Sequence, residues 1–256
     1  MLFETHAHYD DSRYDPDRDD VINNAHDKGV SYIINISSDK DSIGESISLA
    51  HKYDFIYASV GLHPQSCKNF SERDLDYIAQ KAADPKVVAI GEIGLDYYYD
   101  SSFSKDQQKA FALQIGLAKS MKLPIIVHDR DAHEDIMKII KSENAGAAGG
   151  TFHAFSGSVE MAKEVLKNEF YISVGGVVTF KNARKLLDVV RYVPLERLLI
   201  ETDCPYLAPH PFRGTRNDSG HLKYIAMKIA ELKSDTFENV AAITAGNAKK
   251  LFNIGG

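Results

Sequence analysis

The stretch Val87-Val-Ala-Ile-Gly-Glu92 is a run of apolar residues that ends in a carboxylate. An amphipathic segment over residues 105–121 follows it, and a second apolar run, Pro124-Ile-Ile-Val-His128, comes next. A short apolar run, a longer amphipathic segment and another short apolar run predict a β-strand, a crossover helix and a parallel strand. The unit indicates an α/β fold.

The same alternation extends over the whole chain. Apolar runs typical of strands occur at residues 2–8, 30–36, 56–63, 87–92, 124–128, 149–153, 170–175 and 198–203. Helix start signals stand at Asp15-Pro16 and Ser71, and helix-like segments at residues 105–121, 132–142, 159–167, 183–190, 221–232 and 237–251. Eight units in one series predict a single (β/α)8 TIM barrel over residues 1–256; the alternation alone also fits an open doubly wound sheet.

Composition narrows the class of protein. The chain has 256 residues, of which 44% are hydrophobic, so collagen-like, disordered and disulfide-scaffold compositions are excluded. Only Cys67 and Cys204 are present, which favours a reducing compartment and two buried thiols. The amino terminus lacks the features of a signal peptide and no segment is apolar enough to span a bilayer, so we expect a cytoplasmic protein without membrane contact.

Metal-binding residue types stand at the carboxyl ends of six predicted strands. They are His6, His8, His63, Glu92, His128, His153 and Asp203. Barrel enzymes build their active sites from these strand ends. We therefore expect side chains that are distant in sequence to meet on one rim.

His6 and His8 are two residues apart on a strand, so both imidazoles point to the same face. With Glu92, His128, His153 and Asp203 they form a set of nitrogen and oxygen ligands that suits Zn²⁺, Mn²⁺ or Mg²⁺. Six ligands are more than one catalytic zinc uses, so the set predicts two divalent ions bridged by Glu92. Such a pair lowers the pKa of a bound water, which predicts metal-assisted hydrolysis.

Further residues are candidates for substrate contact. His63 lies on the same rim and can touch the leaving group or the nucleophilic water, although Gly61-Leu-His-Pro64 can also simply turn the chain. Tyr97 begins a tyrosine triplet that can stack on bases or pack a loop. Four cations follow strand ends and can bind phosphate or remain solvated: Arg130, Lys181, Arg213 and Arg216.

Seven motifs in order make the chain resemble the TatD family of metal-dependent deoxyribonucleases. The motifs contain the segments Thr5-His-Ala-His8, Val60-Gly-Leu-His-Pro64, Ile90-Gly-Glu-Ile-Gly-Leu-Asp-Tyr97, Leu123-Pro-Ile-Ile-Val-His128, Phe152-His-Ala-Phe155, Leu198-Leu-Ile-Glu-Thr-Asp203 and Asn247-Ala-Lys-Lys250. The resemblance implies the same six metal ligands. It also implies that Asp203 orients or deprotonates the attacking water and that His63 and Arg130 address the scissile phosphate.

The substrate that the resemblance implies is DNA, cleaved at the 3′ end of single strands, with RNA ends or aminoacyl-tRNA as substrates of some members. One loop departs from the family pattern, because Arg213-Gly-Thr-Arg-Asn217-Asp218-Ser219 replaces the usual Arg-Gly-Lys-x-Asn-Glu-Pro. The departure leaves the metal ligands intact and concerns substrate preference.

Three functions remain in competition. A 3′–5′ exodeoxyribonuclease is the leading hypothesis, a metal-dependent esterase or amidohydrolase such as an aminoacyl-tRNA deacylase is the second, and a non-catalytic metal-binding protein is the third. The net charge of −6 argues against a large basic surface for nucleic acid. It is compatible with phosphate binding through metal ions, weak non-specific DNA binding and action at DNA ends.

Overall fold

The computed structural model describes residues 1–255, in which eight parallel strands form one sheet in sequential order. The strands are β1 (Leu2–Ala7), β2 (Val30–Ile36), β3 (Ile56–Val60), β4 (Val87–Asp96), β5 (Ile125–Arg130), β6 (Gly150–Phe152), β7 (Tyr171–Val174) and β8 (Leu198–Ile200). A doubly wound sheet reverses its strand order at a switch point, and this sheet does not. The predicted TIM barrel is therefore confirmed.

Helices alternate with the strands, and two follow β8. They are α1 (Arg18–Asp27), α2 (Lys40–Lys52), α3 (Glu72–Ala82), α4 (Ser104–Met121), α5 (His133–Ser142), α6 (Val159–Lys167), α7 (Arg184–Tyr192), α8 (Leu222–Lys233) and α9 (Phe237–Phe252). None of these helices within residues 1–255 is both long and apolar enough to cross a bilayer.

Two helix starts differ from the sequence expectation. The signal at Asp15 was wrong, because Asp17 is the N-cap and α1 begins at Arg18. The Arg18 guanidinium binds the Tyr9 carbonyl and the Asp15 carboxylate, which uses Asp15 as an ion-pair partner instead of a cap. Helix α2 was not assigned at all, although Asp39 caps it and forms a capping box with Ser42.

The barrel closes between β8 and β1 through backbone contacts at its carboxyl rim. The Asp203 N–H donates to the His6 carbonyl at 3.0 Å, and the His8 N–H donates to the Cys204 carbonyl at 2.8 Å. Ala7 and Cys204 form a parallel bridge just beyond the end of β8. The first and last segments of the predicted site are thereby hydrogen-bonded neighbours.

Glu4 reinforces this seam from inside the barrel. Its fully buried carboxyl group accepts hydrogen bonds from the Thr202 N–H at 2.9 Å and the Thr202 hydroxyl at 2.5 Å. Burial raises the pKa of Glu4 to about 8, although these hydrogen bonds oppose the shift. On the outer side, the Phe3 ring stacks on Phe252 of α9 with centroids 6.2 Å apart, so this helix covers the seam.

The first residue of β6 must be a glycine for steric reasons. Gly150 is buried with φ at +158°, and a Cβ atom there would lie 2.3 Å from the Ile125 carbonyl oxygen. That distance is a steric overlap with backbone of the neighbouring strand. Only glycine satisfies this position without moving β5 or β6.

Replacing Gly150 with alanine is expected to lower the free energy of unfolding by about 2–3 kcal/mol, because strain and overlap combine. The matched control is Gly116→Ala in α4, where an added Cβ meets no atom within 4 Å. That control should raise stability by about 0.5–1 kcal/mol through helix propensity. Urea unfolding midpoints measure both, and a Gly150→Ala protein as stable as the wild type would contradict the steric argument.

Candidate metal centre

All six predicted ligands meet at the carboxyl rim of the barrel. His6 lies at the end of β1 and His8 directly follows it, Glu92 lies in β4 and His128 in β5, His153 directly follows β6, and Asp203 is three residues beyond β8. Asp203 takes a left-handed backbone conformation, with φ at +55°. Closure of the barrel therefore joins residues that are almost 200 positions apart in the chain.

The Glu92 carboxylate lies in the middle of the imidazoles. Its Oε1 is 3.7 Å from His8 Nε2. Its Oε2 is 3.0 Å from His153 Nε2, 3.2 Å from His128 Nδ1 and 3.8 Å from His6 Nε2. The two oxygens thus face different histidines, which is the position that a bridging ligand requires.

The histidines approach one another in two pairs. His6 Nε2 and His8 Nε2 are 3.1 Å apart, and His128 Nδ1 and His153 Nε2 are 3.0 Å apart. Asp203 Oδ1 lies 3.5 Å from His8 Nε2 and 3.8 Å from His6 Nε2. A nitrogen pair at this distance holds at most one proton, so the centre concentrates lone pairs that a divalent cation satisfies.

Hydrogen bonds determine which nitrogen of two imidazoles faces the centre. His8 Nδ1–H donates to the Ile36 carbonyl at 3.0 Å, which turns Nε2 toward the centre. His128 Nε2 lies 3.3 Å from Asp96 Oδ2, so its proton sits there and Nδ1 faces Glu92. Both residues therefore turn one ring nitrogen toward the centre, where a metal ion would take the place of a proton.

Charge and burial shift the ionisation of these groups strongly. Burial lowers the pKa of His8, but the hydrogen bond to Asp203 and the Glu92 charge outweigh it and raise the pKa to about 9. Burial holds the pKa of His6 well below its usual value, and the neighbouring His153 lowers it further. For Glu92, burial raises the pKa, yet His153 and His63 hold it well below the ordinary range. The buried carboxylate is ionised and needs positive charge around it.

Two carboxylates that support the ligands were missed in the sequence. Asp96 is 1% exposed and binds His128, and the fully buried Glu201 has Oε1 3.6 Å from His153 Nδ1. Each is separated by an even number of residues from a predicted ligand, four from Glu92 and two from Asp203. Period-two spacing on a strand was the signal that could have revealed them.

His63 follows β3 and faces the same centre. Its ring centroid is 4.4 Å from that of His128, and its ligand atom groups with those of Glu92 and His128 within 4.8 Å. Nδ1 of His63 accepts a hydrogen bond from the Gln65 N–H at 3.1 Å, so the neutral ring carries its proton on Nε2. Burial, and then the neighbouring His128, lower the pKa of His63 to about 3.

The centre opens into a cavity of about 840 Å³, which we call the main cavity. Its wall carries eight carboxylates: Asp10, Asp11, Asp39, Asp41, Glu45, Glu92, Asp96 and Asp203. Arg130 is the only Lys or Arg among the described residues that line it. Without bound cations this cavity repels anions, so a phosphate substrate requires metal ions here.

The other predicted substrate contacts lie outside the main cavity. Arg216 forms a two-bond ion pair with Asp17, and Arg213 lies 4.5 Å above the Phe180 ring. Lys181 is exposed and does not line the cavity either. The Tyr97 hydroxyl donates to Asp135 at 3.0 Å, whereas Tyr99 reaches the cavity wall.

Addition of Zn²⁺ or Mn²⁺ to chelator-treated protein is expected to raise its melting temperature by about 5–10 °C at a metal concentration a hundredfold above Kd. Glu92→Gln should remove most of this increase, because the central carboxylate loses its charge. The control is His51→Asn, an exposed histidine that pairs only with Asp84. Thermal unfolding and elemental analysis measure the response and the number of ions per chain; an unchanged response in Glu92→Gln would contradict the assignment.

Comparison with known proteins places this geometry in a family. Residues 3–253 match the family model described as TatD related DNase. The uncharacterized metal-dependent hydrolase YabD of Bacillus subtilis is 51% identical over 254 residues, which cover 99% of this chain and 100% of YabD. The 3′-5′ ssDNA/RNA exonuclease TatD of Escherichia coli K12 is 31% identical over 258 residues, 99% of each chain.

Among solved structures, YjjV, a TatD homologue from Escherichia coli K12, superposes with a TM-score of 0.93 at 31% identity, covering 99% of this chain and 98% of that one. Family match, sequence identity and fold agree over nearly the full length. The chain therefore belongs to the TatD family of metal-dependent hydrolases.

Proposed function

We propose that the protein is a 3′–5′ exonuclease that removes nucleotides from the ends of single-stranded DNA with the help of two divalent metal ions. The observation that carries the proposal is the position of Glu92, whose two oxygens face separate histidines at the floor of a cavity edged by Arg130. The exonuclease name of the Escherichia coli TatD relative supports the choice of substrate.

The proposed metal site uses every ligand of the centre. His6, His8 and Asp203 form one group within 4.8 Å, and His128 and His153 approach the Oε2 atom of Glu92. When bound, two such ions supply an activated water and neutralise charge on the phosphate. The close nitrogen pairs and the fixed ring orientations of His8 and His128 make these residues suitable ligands.

In the proposed reaction, Asp203 accepts the proton of the attacking water. Its side chain is 15% exposed, and the residue lines the main cavity above His6 and His8. A carboxylate there orients a water and accepts its proton as the oxygen attacks phosphorus. The bond from phosphorus to the O3′ atom of the preceding nucleotide then breaks, and that oxygen keeps the electron pair and takes up a proton.

In this proposal, Arg130 and His63 hold the phosphate. Arg130 lines the main cavity and is free of carboxylate partners in the described chain, with its guanidinium carbon 4.5 Å above the Tyr98 ring. His63 directs its Nε2 proton away from Gln65 and can donate to a phosphate oxygen. Both donors complement the anionic phosphate without adding a basic surface.

A specific observation also favours a second candidate, hydrolysis of an aminoacyl ester. Carboxylates of the main cavity stand together on the side of β1 and α2, namely Asp10, Asp11, Asp39, Asp41 and Glu45. This wall attracts the ammonium group that an aminoacyl ester carries and repels additional phosphates. The same metal centre serves both reactions, so only the choice of substrate distinguishes them.

Metal-loaded protein is expected to shorten 5′-labelled single-stranded DNA one nucleotide at a time. Asp203→Asn should lower kcat by about 10²–10⁴-fold, the range for loss of a general base. Asp84→Asn, which alters an acid outside the site, is the control. Absence of metal-dependent shortening with Mg²⁺, Mn²⁺ and Zn²⁺ would refute the exonuclease, and release of amino acid from aminoacyl-tRNA in the same preparation would favour the ester hydrolase.

Affinity for single-stranded DNA is expected to depend weakly on salt, because a single guanidinium lines the main cavity. Each neutralised phosphate contributes about −0.7 to the slope of log K against log salt. With one phosphate at Arg130 and at most one more at the metal centre, we expect a slope between about −0.7 and −1.4 for Asp203→Asn protein, measured by anisotropy across a KCl series. A slope steeper than about −4 would instead reveal an extended basic binding surface.

A further inference from the structure

A second cavity opens from the metal centre and has no role in the steps described above. It has a volume of about 420 Å³ and shares five residues with the main cavity, namely His128, Arg130, His153, Asp203 and Leu207. Its remaining wall comes from Asp129 at the end of β5, from the loops that follow β6, β7 and β8, and from the start of α7. We call it the side cavity. Its volume lies within the range of about 300–1,000 Å³ typical of small-ligand pockets.

Much of the side cavity is apolar. Phe155 and Leu186 are 4% and 8% exposed, and Ala154, Val177 and Leu207 complete this part of the wall. Such a surface gains from contact with a flat or apolar group rather than from contact with an ion. A phosphate or a metal ion alone does not use it.

Two carboxylate oxygens of residues that line the side cavity have no hydrogen-bond partner within residues 1–255. Asp129 Oδ1 and Glu201 Oε2 are both buried, and their side chains are 7% and 0% exposed. The other Asp129 oxygen accepts a hydrogen bond from His133 Nδ1 at 2.9 Å, which holds the carboxylate in place. A buried acceptor without a donor is unfavourable, so a ligand that brings hydroxyl or amino hydrogens suits this wall.

The charges select against an anion inside the side cavity. Asp129 and Glu201 face it, while Lys185 and Arg130 are the cations that line it. The carboxylates are buried, whereas Arg130 stands at the border with the main cavity. A phosphate therefore gains more at the metal centre, and the side cavity favours an uncharged group attached to that phosphate.

We infer that the side cavity binds the 3′-terminal nucleoside of the strand, while its 5′ phosphate lies at the metal centre. This inference rests on the proposed exonuclease function. The base contacts Phe155 and Leu186, and the 3′ hydroxyl of the sugar donates to one of the two carboxylates, Asp129 or Glu201. Hydrolysis then adds water across the bond from phosphorus to the preceding O3′, giving a nucleoside 5′-monophosphate and a shortened strand with a 3′ hydroxyl.

Binding of the terminal nucleoside in the side cavity accounts for cleavage at the 3′ ends of strands. A strand that continued beyond the side cavity would place its next phosphate beside Asp129 and Glu201, which like-charge repulsion disfavours. The apolar walls contact a base without reading its identity, because every base has an apolar face. The side cavity thus selects a chain end rather than a sequence.

The first test needs no turnover and uses metal-loaded wild-type protein. Calorimetry should show that thymidine 5′-monophosphate binds about tenfold to a hundredfold tighter than deoxyribose 5-phosphate, which lacks the base. Leu186→Trp, which fills the side cavity, should abolish this preference. Equal affinities of the wild type for the two ligands would overturn the inference whether or not the protein is a nuclease.

The second test compares substrates. Asp129→Asn and Leu186→Trp should each lower, by about tenfold or more, the ratio of kcat/KM for single-stranded DNA to kcat/KM for bis(p-nitrophenyl) phosphate, which has no nucleoside. Asp188→Asn on the exposed side of α7 is the matched control and should leave the ratio unchanged. If the wild type cleaves DNA and both variants keep the wild-type ratio, the inference that the side cavity binds the nucleoside is wrong. If the wild type cleaves only the small diester, the proposed exonuclease function is wrong.

Discussion

The buried Glu92 carboxylate is the interaction on which the rest of the site depends. It is 4% exposed and lies within 3.0–3.8 Å of nitrogens from four histidines. A buried charge is costly unless positive groups surround it, so the barrel rim must supply imidazolium groups or metal ions at this point. The six ligands come from five strand ends, and only a closed barrel brings them within reach of one carboxylate.

Closure in turn depends on the seam between β1 and β8. Glu4 binds Thr202 below the rim, and the backbone pair of His6 and Asp203 continues the seam at the rim itself. The same contacts that complete the sheet therefore position Asp203 beside His6 and His8. Both the stability of the barrel and the geometry of the site depend on this seam, which explains why the Glu4 carboxyl group is kept inside the barrel.

The surroundings of the centre divide into regions of different chemistry. Carboxylates dominate the main cavity, so the affinity for anions arises from bound cations and Arg130. The side cavity offers apolar contacts and two unpartnered acceptors. In the proposed exonuclease, charge holds a phosphate at the centre and the uncharged part of the substrate lies beside it, so a basic outer surface is not needed.

The sequence by itself determined the eight strands, their parallel order and the rim residues. Strand periodicity and strand ends can be read from the local sequence, and in a barrel all strand ends of one kind lie on the same rim. The tertiary structure decided the rest. Arg216 pairs with Asp17, and Tyr97 binds Asp135 while Tyr99 reaches the cavity. Asp96 and Glu201 gained their roles from His128 and His153, which lie far along the chain. A loop side chain has several partners within reach, and only packing of the folded loops selects among them.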